Sequence, residues 1–138
     1  MHLEIKDLKE SNEFLNIVFD NINAAIFIVD GTFEIRSLNS ACARILGREV
    51  SQIEGQKCGN GLGCVYELNG KKGCGNNAEC GSCILRKDIL QTFTESVPRS
   101  DEILEREFKI GHELKNKIFK YSTRYITYLG EKMVIVIM

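Results

Sequence analysis

The chain has 138 residues, a net charge of -1, 43% apolar residues and 27% charged residues. That length suits one domain with a real core rather than two. The near-zero charge gives no electrostatic basis for binding nucleic acid or an anionic membrane. No apolar run approaches the length of a membrane-spanning helix, and the mixed, charged opening from Met1 to Glu10 is unlike a signal peptide. A cytoplasmic protein is expected, in which clustered cysteines more often bind metal or do redox work than form staples.

Residues 3 to about 22 read as a helix. Ile5, Asn12 and Phe19 repeat at a heptad spacing, as do Leu8, Leu15 and Ile22, which makes a short coiled-coil seam with Asn12 at a core-like position. Such a seam serves either to pair the helix with its twin in a homodimer, with Asn12 setting the register, or to pack on the chain's own sheet. Ala24 to Val29 is a short apolar run that ends at Asp30-Gly31, a hairpin turn signal. Phe33, Ile35 and Ser37 alternate with Glu34, Arg36 and Leu38, as in a second strand with one wetter face. Asn39-Ser40 can cap a short helix that closes near Gly47, with Cys42, Ile45 and Leu46 as its apolar positions. Ser51 to Gly55 allows one more helical turn.

A helix is expected to start at Cys83, with Leu85, Ile89, Thr92 and Phe93 on one stripe and Pro98 as its stop. The period then changes. Glu102 to Ile110, Lys115 to Tyr128 and Lys132 to Met138 read as antiparallel strands, with turns at Gly111-His112 and Gly130. The uniformly apolar run Met133 to Met138 predicts a central strand covered on both faces. Glu105, Glu107 and Lys109 form a solvent face, and Tyr121, Tyr125 and Tyr128 fall to the sheet surface or to dimer contacts.

Between these two halves lies a stretch without apolar periodicity. Five of the six cysteines, Cys58, Cys64, Cys74, Cys80 and Cys83, fall within it, among closely spaced glycines. A long connection without its own helix or strand is usually functional or disordered, and a bound metal or cluster could supply the cross-links that a core would otherwise provide. Cys64, Cys74, Cys80 and Cys83 form C-x9-C-x5-C-x2-C. The closing C-x-x-C makes a two-point chelate, and the other two cysteines complete a tetrahedral S4 site or the four corners of a cluster. The candidate ligands for a metal or cofactor are therefore Cys64, Cys74, Cys80 and Cys83. The same thiols support an iron–sulfur cluster, a structural zinc, or a thiol–disulfide switch centred on Cys80 and Cys83. Cys58 is a substitute ligand for any of the four, while Cys42, beside Ile45 and Leu46, reads as a buried small hydrophobe. Cys83 lies where a helix begins, which favours a thiolate, and Arg86 and Lys87 one turn later add positive charge.

No other constellation competes. His2 lies in the opening segment and His112 in a turn. No C-x-x-C-H for covalent haem is present, and no phosphate-binding motif follows Gly59, Gly61 and Gly63. A thiol oxidoreductase using Cys80 and Cys83 lacks a surrounding βαβ pattern, so no catalytic residue is assigned.

The order of elements, with Ala24-Ala25-Ile26-Phe27-Ile28-Val29-Asp30-Gly31, Asn39-Ser40-Ala41, Ile45-Leu46-Gly47 and Ile53-Glu54-Gly55, resembles a PAS domain over residues 10 to 138. The resemblance implies an α+β fold, a five-stranded antiparallel sheet flanked by short helices. Residues 1–22 would be an N-terminal helix for dimerisation or signalling, and residues 23–138 the domain itself with a cysteine-rich insert at 58–83. It also implies a sensory role in signal transduction, as in two-component systems, and a chain cut short inside the last strand ahead of an output domain such as a histidine kinase. The cysteine pattern resembles a subgroup found in sensor kinases of bacteria and archaea and in hydrogenase-linked sensors. By analogy with iron–sulfur PAS sensors, that likeness implies redox or oxygen sensing. The zinc alternative implies sensing of a small ligand or a dimerisation role.

Overall fold

The computed structural model describes residues 8–58, 61, 83–110, 113–128 and 130–138, with side chains described from residue 13 and not at 128. The elements in chain order are α1 (Leu8–Asn21), β1 (Ile26–Asp30), β2 (Ile35–Leu38), α2 (Ser40–Leu46) and α3 (Val50–Ile53). They continue with α4 (Ile84–Glu95), β3 (Arg99–Ile110), β4 (Glu113–Tyr128) and β5 (Glu131–Ile137). The strands form one sheet in the order β2-β1-β5-β4-β3, with every pair antiparallel. This is the expected α+β architecture.

Side-chain alternation sets the two faces of the sheet. Phe27 and Val29 of β1, Val134 and Val136 of β5, Tyr121 of β4, and Leu104 and Phe108 of β3 point inward and are buried. Ala41, Cys42 and Leu46 of α2, Ile53 of α3, and Leu85 and Ile89 of α4 complete the core from the helical side. Phe108 meets Phe119 edge to face, with ring centroids 5.4 Å apart.

The last strand is central in the sheet but covered on both faces only in part. Val134 and Val136 face the core and Met133 is also buried, whereas Ile137 is exposed. A helix covers an outward row only over its own length, and α1 reaches Ile28, Ile126 and Met133 but not Ile137. Ile45 likewise departs from expectation. It shares α2 with buried Cys42 and Leu46 but is itself exposed, in the last turn of the helix just before Gly47.

Two polar side chains organise the early half. Asn39 is fully buried and caps α2, its Oδ1 accepting from the Cys42 N–H at 3.0 Å. The same oxygen accepts from the Ile26 N–H at 3.0 Å, and Nδ2 donates to the carbonyls of Phe19 at 3.2 Å and Ala24 at 2.9 Å. One amide thereby joins the end of α1, the start of β1 and the start of α2. Gly47 closes α2 in the left-handed conformation that glycine favours. Asp30 holds the β1–β2 turn, accepting from the Thr32 N–H at 2.8 Å, the Thr32 hydroxyl at 2.6 Å and Arg36 at 3.3 Å. Burial acts to raise its pKa, but these bonds together hold the carboxyl below the usual aspartate range.

Replacing Asn39 with alanine strips partners from four backbone groups and should cost roughly 2–4 kcal/mol, from the penalty of leaving buried polar groups unsatisfied. Urea unfolding of Asn39→Ala checks this, and a loss under about 0.5 kcal/mol would show that water replaces the amide at little cost.

Candidate functional site

Helix α4 follows the cysteine stretch directly, and its core-facing side is unusually polar. Asp88 and Thr92 are buried beside Leu85 and Ile89. The Tyr121 hydroxyl donates to Asp88 Oδ2 at 2.6 Å, and Arg99 Nε lies 3.6 Å from Asp88 Oδ1. The Thr92 hydroxyl shares a hydrogen bond with that of Thr123 at 2.7 Å, and it also donates to the Val97 carbonyl at 2.7 Å. Arg99 additionally donates to Gln91. The helix is therefore keyed to β4 by two buried polar contacts at defined positions, which rigidify an interface when fully satisfied.

Tyr121 is a correction to the expected surface tyrosines. It is 1% exposed, and its ring lies on the inward row between Phe119 and Thr123. Burial, reinforced by the bond to the Asp88 carboxylate, pushes the phenol pKa well up. Tyr125 is half-buried, and the side chain of Tyr128 lies outside the described residues.

Cys83 is the N-cap residue of α4, with its carbonyl accepting from the Lys87 N–H at 3.1 Å. Its sulfur is half-buried and accepts from Arg106 Nη1 at 3.2 Å. Arg106 sits on the inward row of β3, between Leu104 and Phe108. The two cations singled out by sequence are disposed differently. Arg86 lies over the Phe33 ring, 4.1 Å from its centroid, a cation–π contact that occupies the guanidinium, and Lys87 is exposed. The cation that reaches Cys83 comes from the sheet. A signal for it was present in the sequence, because an outward row of Glu105, Glu107 and Lys109 places Arg106 on the row facing the core.

Of the remaining cysteines, Cys42 is fully buried, and burial alone pushes its thiol pKa up to about 11, so it remains a protonated thiol in the core. Cys58, the proposed substitute ligand, is 5% exposed and packs in the same core. Its N–H donates to the Phe33 carbonyl at 2.8 Å, which fastens the entry to the cysteine stretch against β2. Gly61 extends that anchor. A Cβ there would come within 2.7 Å of Ile35 Cδ1, so a larger residue would have to displace the end of that side chain. Cys64, Cys74 and Cys80 lie outside the described residues, as do His2 and His112. Among the described residues no three His, Cys, Asp or Glu side chains converge as a metal site. The one described member of the expected ligand set, Cys83, fits the role of a thiolate ligand, because its sulfur accepts a charge-assisted hydrogen bond.

The model of the PAS domain family matches residues 13–80. The chain belongs to the PAS family. Solved structures carry the same fold across nearly its whole length. The PAS domain of an HTR-like protein from Haloarcula marismortui superposes with a TM-score of 0.61 at 15% identity, covering 94% of this chain and 90% of that one. A domain of the sensory box sensor histidine kinase/response regulator from Geobacter sulfurreducens gives 0.59 at 13% identity, covering 97% of each chain. The PAS domain of nitrogen regulation protein NR(II) from Vibrio parahaemolyticus gives 0.54 at 14% identity, covering 90% of this chain and 94% of that one. No curated protein matches this PAS domain in sequence. PAS domains are sensory and regulatory units of signal-transduction proteins such as histidine kinases, and in general they are not catalytic. Among the described residues, no helix is long and apolar enough to cross a membrane.

Replacing Tyr121 with phenylalanine should cost about 1–2 kcal/mol in urea unfolding at neutral pH. Because folding raises the phenol pKa, its contribution is complete below the unfolded tyrosine value near 10 and is lost as pH rises above it. Stability should therefore fall more steeply between about pH 10 and 11 in the parent chain than in Tyr121→Phe. Parallel curves would mean that Tyr121 ionises in the fold as readily as in the unfolded chain.

Proposed function

We propose that this PAS domain is a redox- or oxygen-sensing module of a signal-transduction protein, with an iron–sulfur cluster held by Cys64, Cys74, Cys80 and Cys83. The observation that carries the proposal is the Cys83 sulfur. It opens a helix keyed to the sheet, lies half-buried at the edge of the core and accepts a guanidinium bond, which suits a sulfur that ligates a metal or cluster. The C-x9-C-x5-C-x2-C spacing and the adjacent glycines support it, since backbone N–H groups can approach the sulfurs where no Cβ intervenes. Such a cluster would supply one-electron redox chemistry and sensitivity to oxygen. The chain's own part is to translate a change at Cys83 into a change at α4. The start of α4 is tied to β3 through the Cys83 sulfur and Arg106, and its later turns are bonded to β4 through Asp88 and Thr92. A helix pinned at one end and released at the other is a two-state element that site chemistry can bias.

The output side of the proposal is α1. Leu15 is 58% exposed and Ile17 61% exposed, and Val18 and Ile22 are also open to solvent. A groove of about 530 Å³ runs between this helix and the outer sheet face, lined by Leu15, Val18, Phe19, Ile22, Ile126 and Met133. The heptad spacing of Leu15 and Ile22 matches that of a twin helix, so a second copy of this chain pairs there and passes the signal to an output domain such as a histidine kinase.

Protein purified without air decides the cofactor. Iron and sulfide in near-equal amounts, with a broad visible absorption that air bleaches, are expected. One zinc per chain in a colourless solution would make the site structural, and metal-free protein with a reversible Cys80–Cys83 disulfide would make it a thiol switch. Either result replaces the cluster. For the helix, Leu15→Glu should weaken self-association about tenfold or more, equivalent to ~1.4 kcal/mol, by sedimentation equilibrium. A parent chain that stays monomeric at high concentration would remove the dimer from the proposal.

A further inference from the structure

The inward row of β3 reads Leu104, Arg106, Phe108, with the outer two fully buried and the arginine half-buried between them. A guanidinium in a core-facing row is costly unless an acceptor compensates for its lost water. The register makes the position less favourable still, because Arg106 lies directly across from Lys117 of β4. Residues opposite one another share a face, and like charges placed so are destabilising. Lys115, opposite Phe108, lies on that face as well, where it pairs with Glu113 at 3.9 Å. Among the described residues, the inner surface at this end of the β3–β4 hairpin thus sets Arg106, Lys115 and Lys117 against Glu113. Arg106 Nη1 directs its hydrogen to Cys83 Sγ at 3.2 Å, at the point where the chain leaves the cysteine stretch and enters α4.

We propose that Arg106 is a positioning residue for the thiolate site. It orients the Cys83 sulfur, and with Lys117 across the strand it compensates the negative charge that four thiolates retain around a metal or cluster. This inference rests on the thiolate-site proposal above and adds to it a residue outside the cysteine stretch. Four thiolates on a divalent ion carry a net charge of about -2, and a desolvated anion of that kind is stabilised by a fixed cation beside it and by hydrogen bonds to its sulfurs. A guanidinium supplies both at once, since it stays charged and donates along fixed directions. Because Arg106 belongs to β3, the sheet as well as α4 is in contact with the site.

The test uses cobalt(II) as the probe, because tetrahedral thiolate–cobalt gives intense sulfur-to-metal charge-transfer bands. The reduced parent chain, Arg106→Gln, Arg106→Lys and Lys109→Gln are titrated with cobalt(II) without air, and zinc competition gives the affinities. Lys109 lies on the opposite face of the same strand and controls for charge alone. Far-ultraviolet circular dichroism and urea unfolding of the metal-free chains establish that each variant is folded. Arg106→Gln should bind cobalt roughly 10–100-fold more weakly, the usual loss when a partner of a metal ligand is removed, and its charge-transfer bands should move. Arg106→Lys should recover part of the affinity, and Lys109→Gln should match the parent. Folded Arg106→Gln with parental affinity and bands would overturn the role of Arg106 while leaving the site intact, as would equal losses in Arg106→Gln and Lys109→Gln. No charge-transfer band in the parent chain itself would overturn the thiolate site and, with it, the role of Arg106.

Discussion

The fold depends on one buried amide. Asn39 is the point at which α1, β1 and α2 meet, and each of its hydrogen bonds satisfies a backbone group that the local structure leaves over. The Cys42 N–H belongs to the first turn of α2, where its other acceptor is the Asn39 carbonyl at 3.2 Å. The Ile26 N–H begins a strand, and the Phe19 carbonyl belongs to the last turn of α1. An apolar residue here would take the side-chain partner from each of them. Ser40 adds to the junction by donating to the Asp20 carbonyl at 3.1 Å. The angle at which α1 leaves the domain is set at this junction, while the apolar face of α1 remains largely open.

A second set of polar contacts does for α4 what Asn39 does for the first half. Cys83 with Arg106, Asp88 with Tyr121, and Thr92 with Thr123 follow one another along the helix, each joining it to β3 or β4. Apolar packing alone tolerates sliding, because its energy depends weakly on direction, whereas hydrogen bonds at fixed intervals define a register. Two of the three contacts use groups that remain uncharged or stably paired. The third uses a sulfur whose acceptor strength depends on whether it is a thiolate, a thiol or half of a disulfide. The helix thus carries two constant attachments and one that chemistry can alter.

Much of this was legible from residue patterns. The switch from heptad spacing in α1 to two-residue alternation in β3 and β4 located the elements, and Asn39 with Gly47 marked both ends of α2 within a residue. Single-residue placement was harder to read. Tyr121 has nothing local to distinguish it from a surface tyrosine, because Asp88, which accepts from its hydroxyl, is far away in sequence. Arg106 is one charged residue in a charged strand, set apart only by the row it shares with Leu104 and Phe108. Cys58 looked like its neighbours in sequence, yet it belongs to the core, since the chain is still tied to β2 at that point. Long-range pairing supplies what composition and spacing cannot.

The pairing of β1 with β5 has a consequence in time. Ile26 meets Ile137 and Asp30 meets Met133 in the centre of the sheet, while Ala25 and Met138 exchange both backbone hydrogen bonds at 3.0 and 2.8 Å. The middle of the sheet is thus closed by strands from opposite halves of the chain, and such distant contacts form late because loop closure must precede them. During synthesis the cysteine-bearing stretch is made before β3, β4 and β5 exist, so Cys83 has neither Arg106 nor a sheet to lie against. The contact between Cys83 and Arg106 can therefore form only after the second half of the sheet has been made.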